Sequence, residues 1–158
     1  MVVAGGVVYE VVERTGADTL TISRMRATAG GALLTPSPVN GVSVEVPTFR
    51  PQLAMVHAQV LRMLGIEPDG TAGPGVLSES SVTNPGAMAL LESLGALHLV
   101  FAAASALASD DSPASVKAGF YRERVAAERG RVAARVDTDG DGVADATRRP
   151  SVVQLVRA

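Results

Sequence analysis

The chain contains no cysteine and no tryptophan, and aromatic residues make up only 3% of its 158 residues. Because cysteine is absent, disulfide bonds, thiolate nucleophiles and thiolate-held metals are excluded. The formal net charge is -2 at pH 7, so the chain has no overall basic field. Few rings are present to stack on bases. These absences argue against a dedicated nucleic-acid-binding protein.

The chain also lacks a recognisable targeting segment. Residues 1–8 carry no basic group before their short apolar run, and Gly5 and Gly6 interrupt that run. We therefore expect synthesis and residence in the cytoplasm rather than export. The apolar stretch at 87–108 is rich in weakly hydrophobic alanine and contains Glu92. This composition favours a helix at the centre of a bundle over a membrane span.

The first 48 residues have the pattern of β-structure. The valine-rich segment 7–12 and the segment 20–23 lie on either side of a glycine-containing turn at 15–18. This arrangement predicts a β-hairpin or two successive strands. Apolar and polar residues then alternate over 42–46, which predicts a third strand with one apolar face.

Helical periodicity begins after residue 48. The first predicted helix ends at Gly65, and the second starts at Asn84 and Pro85 and continues to about residue 108. A third helix is predicted from Pro113 to about Val136, antiparallel to the second. It carries six cations against two acids. We expect a solvated face there, with a phosphate backbone or an acidic protein surface as the alternatives.

The resulting fold class is mostly α: a small helical bundle with an N-terminal β segment and a short C-terminal strand or extended arm. Three parts are expected along the chain. They are a β segment at 1–48, a helical bundle at 49–136, and an Asp/Gly loop with a C-terminal docking arm at 137–158.

The most distinctive motif is the aspartate-rich loop that begins at residue 137. Its carboxylates occupy positions 1, 3, 5 and 9, with glycine at position 6, which is the spacing of a calcium loop. Position 12 is Arg148 instead of the usual closing glutamate, so we expect weak affinity. A metal-free turn, in which each aspartate accepts backbone amides, is an equal alternative. The candidate ligands for calcium are Asp137, Asp139, Asp141, Val143 through its carbonyl, and Asp145.

The segment after Pro150 has apolar residues on both faces of a predicted strand. A strand of this kind must be covered on both sides, and the predicted helices leave little surface for it. We expect it to insert into, or add a strand to, a neighbouring protein, with the N-terminal β segment as the other option. The candidate partner-binding residues are Arg148, Arg149, Val152, Val153, Leu155, Val156 and Arg157.

No enzymatic signature is present in the sequence. The two histidines, His57 and His98, lie on predicted helices, where packed or surface imidazoles are more common than catalytic ones. The sequence contains no nucleophile elbow, zinc-protease motif, phosphate-binding loop or dinucleotide-binding motif. We therefore expect no enzyme activity.

Over residues 50–158 the chain resembles the head-to-tail adaptor (connector) proteins of tailed bacteriophages and gene transfer agents. The resemblance is carried by the long alanine-rich helix, the segment 117–124, the Asp/Gly loop, the segment 146–149 and the closing segment 152–157. It implies a virion structural protein of the neck, assembled in the bacterial host cytoplasm. It further implies a ring of about twelve copies, in contact with the portal protein and a tail-side neck or terminator protein.

In such a ring the subunits line a passage through which DNA moves without sequence-specific binding, and no membrane is involved. The resemblance does not extend to residues 1–48. The alternative is a calcium-stabilised protein-binding module that is not associated with a particle.

Overall fold

The structure is a computed structural model that describes residues 1–38, 40–70, 76–108 and 112–151. Three α-helices, six strands and two short 3-10 helices lie in these parts of the chain. The strands are β1 (Val2–Ala4), β2 (Val7–Arg14), β3 (Leu20–Ser23), β4 (Val44–Glu45), β5 (Ala134–Val136) and β6 (Ala146–Arg148). The α-helices are α1 (Arg50–Met63), α2 (Ala89–Ser105) and α3 (Pro113–Arg129), and the 3-10 helices are Glu79–Ser81 and Pro85–Met88.

The predicted fold class, a mostly helical bundle, is wrong. The chain is a mixed α/β protein, and of its described residues 39% are helical and 18% lie in strands. The strands form a four-stranded antiparallel sheet and a separate two-stranded sheet. β-Structure therefore includes a hairpin at 134–148, where the sequence predicted the end of a helix and a loop, in addition to the predicted N-terminal strands.

The four-stranded sheet has the strand order β3-β2-β1-β4. It contains the predicted hairpin, formed by β2 and β3, together with the additional strand β1, which pairs Val2 with Tyr9. Most of β2 is exposed, because Tyr9 is its only buried residue and Glu10 is half-buried. The apolar side chains of this sheet are thus left largely without cover.

The sheet is tied to the helical part of the molecule through Glu10. Its carboxylate accepts a hydrogen bond from Lys117 Nζ on α3 at 2.6 Å, and a second from the guanidinium of Arg26. Burial alone would raise the pKa of Glu10, but the two cationic partners outweigh it, so the pKa lies below its ordinary value. The carboxylate therefore stays ionised between two cations, Lys117 on α3 and Arg26 in the segment after β3.

The three helices form a layer in which α1 and α3 both pack against α2. α2 and α3 run antiparallel, since Phe101 near the end of α2 stacks on Tyr121 and lies beside Lys117. A Cβ atom on Gly95 of α2 would lie only 2.6 Å from Val56 Cγ1 of α1. The close approach of these two helices therefore requires glycine at this position.

The hydrophobic core lies between α1, the start of α2 and the β5–β6 hairpin. Leu61 is fully buried in it and contributes about 1.5–3 kcal/mol by leaving water. Gly65 follows α1 with φ +69°, a conformation that favours glycine and ends the helix as the sequence predicts. The buried cluster consists of Val56, Val60, Leu61, Leu64, Ile66, Val82, Met88, Leu91, Val132, Ala134 and Val136.

The third helix ends at Arg129, seven residues before the predicted end at Val136. Val132 and Val136 match a helical spacing, but together with Ala134 they also alternate with polar neighbours, as in a strand. Gly130 is the C-cap of the helix, and the core and the bridge between Val82 and Val136 hold the residues that follow as a strand. The predicted C-terminal strand at 151–157 lies outside the described residues, apart from Ser151.

One helical segment, Pro85–Ser105, is long and apolar enough to cross a membrane, with a mean hydropathy of 1.7. Core helices of soluble proteins meet the same criterion. In this fold Glu92 of α2 binds His57 on α1, and His98 contacts the Ala118 carbonyl on α3. The most polar side chains of the segment are therefore used within the helical layer, which favours packing against α1 and α3.

Candidate functional site

The aspartate-rich loop joins β5 to β6 at the tip of a β-hairpin. The two strands pair antiparallel, with Arg135 opposite Thr147. β5 is fixed on its other side by a bridge between Val82 and Val136, and by the Asp137 amide, which donates to the Ser81 carbonyl at 2.9 Å. The loop thus extends from a strand that the hydrophobic core holds in place, instead of linking two helices as in an EF-hand.

Asp137 organises the turn from inside. Its carboxylate accepts the amides of Gly140 and Gly142, each at 2.7 Å. These two hydrogen bonds lower the pKa of Asp137 below its ordinary value, and the bond from Gly140 has the larger effect. Desolvation acts in the opposite direction but does not outweigh them. Both glycines have φ near +85°, which favours glycine and allows the backbone to wrap around the carboxylate.

Three carboxylates converge in the loop. Oxygen atoms of Asp137, Asp139 and Asp145 all lie within 4.8 Å of one another, a spacing at which they could hold a metal ion. Asp137 is buried, and the other two are exposed. The Asp145 carboxylate also links the two ends of the loop, because it accepts hydrogen bonds from the amide and from the hydroxyl of Thr138, the second at 2.7 Å. The cluster is therefore preformed by hydrogen bonds within the loop.

The other two predicted ligands are arranged differently. Asp141 lies outside the converging set, and its Oδ1 accepts the Val143 amide at 2.7 Å. The Asp141 amide in turn donates to Asp139. Asp137, Asp139, Asp141 and Asp145 thus all accept amides of the loop, which is the pattern of the metal-free alternative, while three of them also converge as metal binding requires.

Arg148, at the position where a closing glutamate is usual, points away from the cluster. Its Nη1 donates to the carbonyls of Leu64 at 2.7 Å and Gly65 at 3.2 Å. The cation therefore satisfies carbonyls at the end of α1, where the helix dipole favours positive charge. A Cβ atom on Gly65 would lie 2.8 Å from this nitrogen, so a larger residue there would displace the end of the Arg148 side chain.

Of the predicted partner-binding residues, the structure describes only the two arginines Arg148 and Arg149. Arg149 is exposed beside the buried Pro150. Arg148 is only half-exposed and is engaged with α1, so its guanidinium is not available to a partner in this conformation. The apolar residues Val152, Val153, Leu155 and Val156, and with them Arg157, lie outside the described residues.

Sequence reasoning missed the ionic environment of His57. Its Nδ1 lies 2.8 Å from Glu92 of α2, and its Nε2 lies 3.2 Å from Glu79. Burial alone would lower the pKa of His57, but the two carboxylates raise it above its ordinary value. The imidazole thus joins α1, α2 and the 3-10 helix Glu79–Ser81. No local pattern indicates this, because the partners are 35 and 22 positions away.

The geometry gives no catalytic constellation among the described residues. His57 is held between two carboxylates, and His98 Nδ1 lies 3.1 Å from the carbonyl of Ala118 in the middle of α3. Neither histidine has a hydroxyl nucleophile among its described partners. Both imidazoles instead link helices within the helical layer.

No protein-family model matches this chain, and neither a curated protein nor a solved structure shows significant similarity to it.

Proposed function

We propose that this chain is a structural subunit of a head-to-tail adaptor, which forms a ring between the portal and the tail of a phage or phage-like particle. The observation that carries the proposal is the uncovered apolar surface of the four-stranded sheet. In a protein that works alone, such a surface would be an aggregation hazard. In an assembly subunit it becomes the contact with the next copy.

The exposure extends to both faces of the sheet. Val7 is 44% exposed and Val8 is 46% exposed, and successive residues of a strand point to opposite faces. At the sheet edge, Val44 on β4 and the nearby Val46 are still more exposed. Burying a surface of this type between subunits follows the physics of a homo-oligomeric interface, in which apolar patches of neighbouring copies cover one another.

The charge distribution suits a passage for DNA without sequence readout. Arg124 lies exposed on α3, and an exposed arginine attracts phosphate without distinguishing bases. Lys117 is not available for this role, because it binds Glu10. A weak, salt-dependent attraction to DNA is what a channel-lining surface needs.

The test is imaging of the purified protein by negative-stain electron microscopy. We expect closed rings of about twelve copies around an open axis. Particles that remain single subunits at all concentrations, together with a parent particle whose neck lacks the chain, would contradict the proposal.

The C-terminal arm is proposed to join the ring to the portal. Deleting residues 150–158 should leave a folded, soluble protein that no longer joins the particle, because the described core lies before residue 150. A matched single variant is Arg149→Glu, which changes an exposed charge beside the arm and should weaken portal contact in a salt-dependent way. A deletion that unfolds the domain would show that the arm belongs to the subunit's own core.

We propose calcium as the ion that the Asp137, Asp139 and Asp145 cluster binds. Three carboxylates without a closing glutamate are expected to give dissociation constants of about 0.1–1 mM, the range of weak calcium modules. Calorimetry with calcium should detect binding that Asp145→Asn abolishes and that Asp141→Asn, outside the cluster, reduces less. Absence of heat, with a melting temperature that chelator does not change, would leave the metal-free turn as the answer.

A second candidate function is a calcium-stabilised protein-binding module that is not part of a particle. The convergence of the three carboxylates favours it. The two candidate functions predict different masses for the protein in solution. The module is a monomer whose stability depends on calcium, while the adaptor forms a ring whether or not calcium is present. Sedimentation in calcium and in chelator distinguishes them.

A further inference from the structure

A groove runs between α1 and α3 across the surface of α2. We call it the α1–α3 groove, and its volume is about 370 Å³. Gly95 and Leu99 of α2 form its floor, Val60 of α1 and Val125 of α3 form its walls, and Arg122 and Arg129 of α3 line it as well. The groove exists because α1 and α3 each pack on α2 without closing over it.

The groove has room for a few apolar side chains of a further helix lying across it. Leu99 and Val125 are only partly buried in it, so an occupant would cover apolar surface that the single chain leaves partly in water. A helix laid between two others on a common neighbour completes a four-helix arrangement, which is a frequent way of burying such a stripe. Recognition of an amphipathic helix by a hydrophobic groove follows the same physics.

The charge of the groove limits what that helix can be. Arg122 and Arg129 are exposed on one wall, and neither has an acidic partner among the described residues. They are seven positions apart on α3, which places their backbones about 10.5 Å apart along the helix axis. Two carboxylates seven positions apart on a neighbouring helix of similar direction match this separation.

The other candidate occupants fit less well. The helices of a second copy do not offer the pattern, since α1 has no acid, α2 has only Glu92, and the acids of α3, Glu123 and Glu128, are five positions apart. The segment 150–158 contains no acid at all. A DNA phosphate would meet the arginines but leave the apolar floor uncovered.

We propose that the α1–α3 groove binds an amphipathic helix of another protein that carries two acidic residues seven positions apart, with apolar residues at the third and fourth positions between them. The arginines pair with the two carboxylates, and the apolar pair enters the groove above Leu99. This binding is a property of the single chain and does not depend on ring formation.

The experiment uses a labelled synthetic helical peptide of about 20 residues with two glutamates seven positions apart and leucine pairs between and beyond them. A second peptide replaces both glutamates with lysine. Fluorescence anisotropy with the full chain should show binding of the glutamate peptide. The double variant Arg122→Glu, Arg129→Glu reverses both charges. It should bind the glutamate peptide at least tenfold more weakly than wild type does, and it should bind the lysine peptide instead.

Two matched controls separate the groove from general effects on α3. Arg124→Glu changes an arginine whose guanidinium lies over the Phe120 ring outside the groove, and it should leave binding within twofold of wild type. Ala126→Trp places a bulky ring in the groove and should abolish binding. Ala127→Trp, at the exposed neighbouring position outside the groove, should not. Helical content by circular dichroism confirms that each variant is folded.

Three outcomes would overturn the proposal. They are failure of the glutamate peptide to bind, equal binding of both peptides, and binding of the glutamate peptide to the Ala126→Trp variant as tight as to wild type. Loss of duplex-DNA binding in the arginine variant with peptide binding intact would make phosphate the ligand. Reduced self-association of the Ala126→Trp variant in sedimentation, or displacement of the peptide by a peptide of residues 150–158, would make the occupant part of this chain.

Discussion

The two β-sheets of this protein have opposite relations to solvent, and it is the valine-rich N-terminal sheet that is more exposed. In the β5–β6 hairpin, Ala134 and Val136 have no exposed surface, because α1 and the start of α2 cover them. In the four-stranded sheet, Val7 and Val8 are nearly half-exposed on opposite faces. β-Branched composition predicted the strands of the N-terminal sheet, yet it was the hairpin, with one β-branched residue in each strand, that became part of the core. The difference arises from what packs on each sheet, and for the N-terminal sheet we propose that the cover is another subunit.

The largest expected effect is a difference in stability when the same substitution, valine to alanine, is made in each of the two sheets. Val136→Ala should lower the free energy of unfolding by about 2–3 kcal/mol, because it removes two fully buried methyl groups and leaves a cavity. Val8→Ala should change it by less than about 0.5 kcal/mol in the single subunit. Urea unfolding of dilute protein measures both. Equal effects would show that the N-terminal sheet is as well packed as the hairpin.

An intermediate effect is expected at the end of the hairpin. Arg148→Met should cost about 1–2 kcal/mol, because the carbonyls of Leu64 and Gly65 lose a charged donor at the end of α1. Arg149→Met, at the exposed adjacent position, is the matched control and should stay within about 0.5 kcal/mol of wild type. Thermal unfolding checks the pair. Similar losses in the two variants would mean that Arg148 has no special role in holding α1.

The smallest effect concerns the helical layer and depends on pH. The raised pKa of His57 means that its ionic links stabilise the fold below the unfolded-state value of about 6.5, and that this contribution is lost as pH rises through the folded-state value. His57→Gln should therefore cost about 0.5–1 kcal/mol at pH 6 and less at pH 8. The comparison is made by melting at both pH values. In a background with Glu79→Gln and Glu92→Gln the pH dependence of the His57→Gln effect should disappear; its persistence would assign it to other groups.

Sequence patterns predicted those features that depend on neighbouring residues. The β2–β3 hairpin follows from β-branched residues around a turn, and the end of α1 follows from Gly65, whose φ is +69°. The spacing of Asp137, Asp139 and Asp145 predicted the cluster, since a tightly turned loop brings alternate residues together.

Features that depend on distant contacts could not be predicted in this way. Val132 and Val136 fit both a helix and a strand, and only the core and the bridge to Val82 make 134–136 a strand. Arg148 was assigned to the loop and to a partner, but its hydrogen bonds reach across 84 residues to α1. The prediction of helix up to Val136 contributed to the mostly helical fold class, because it treated residues 130–136 as a helix end instead of the first strand of a hairpin.

The most direct test of the proposed role of the N-terminal sheet is sedimentation velocity of the wild-type chain beside the double variant Val7→Lys, Val8→Lys, which changes one residue on each face. The account predicts that the wild type sediments as a ring, while the variant sediments as a single folded subunit with the same helical content, because lysine on both faces opposes burial between copies. Identical sedimentation of the two proteins would contradict the claim that this sheet joins the subunits.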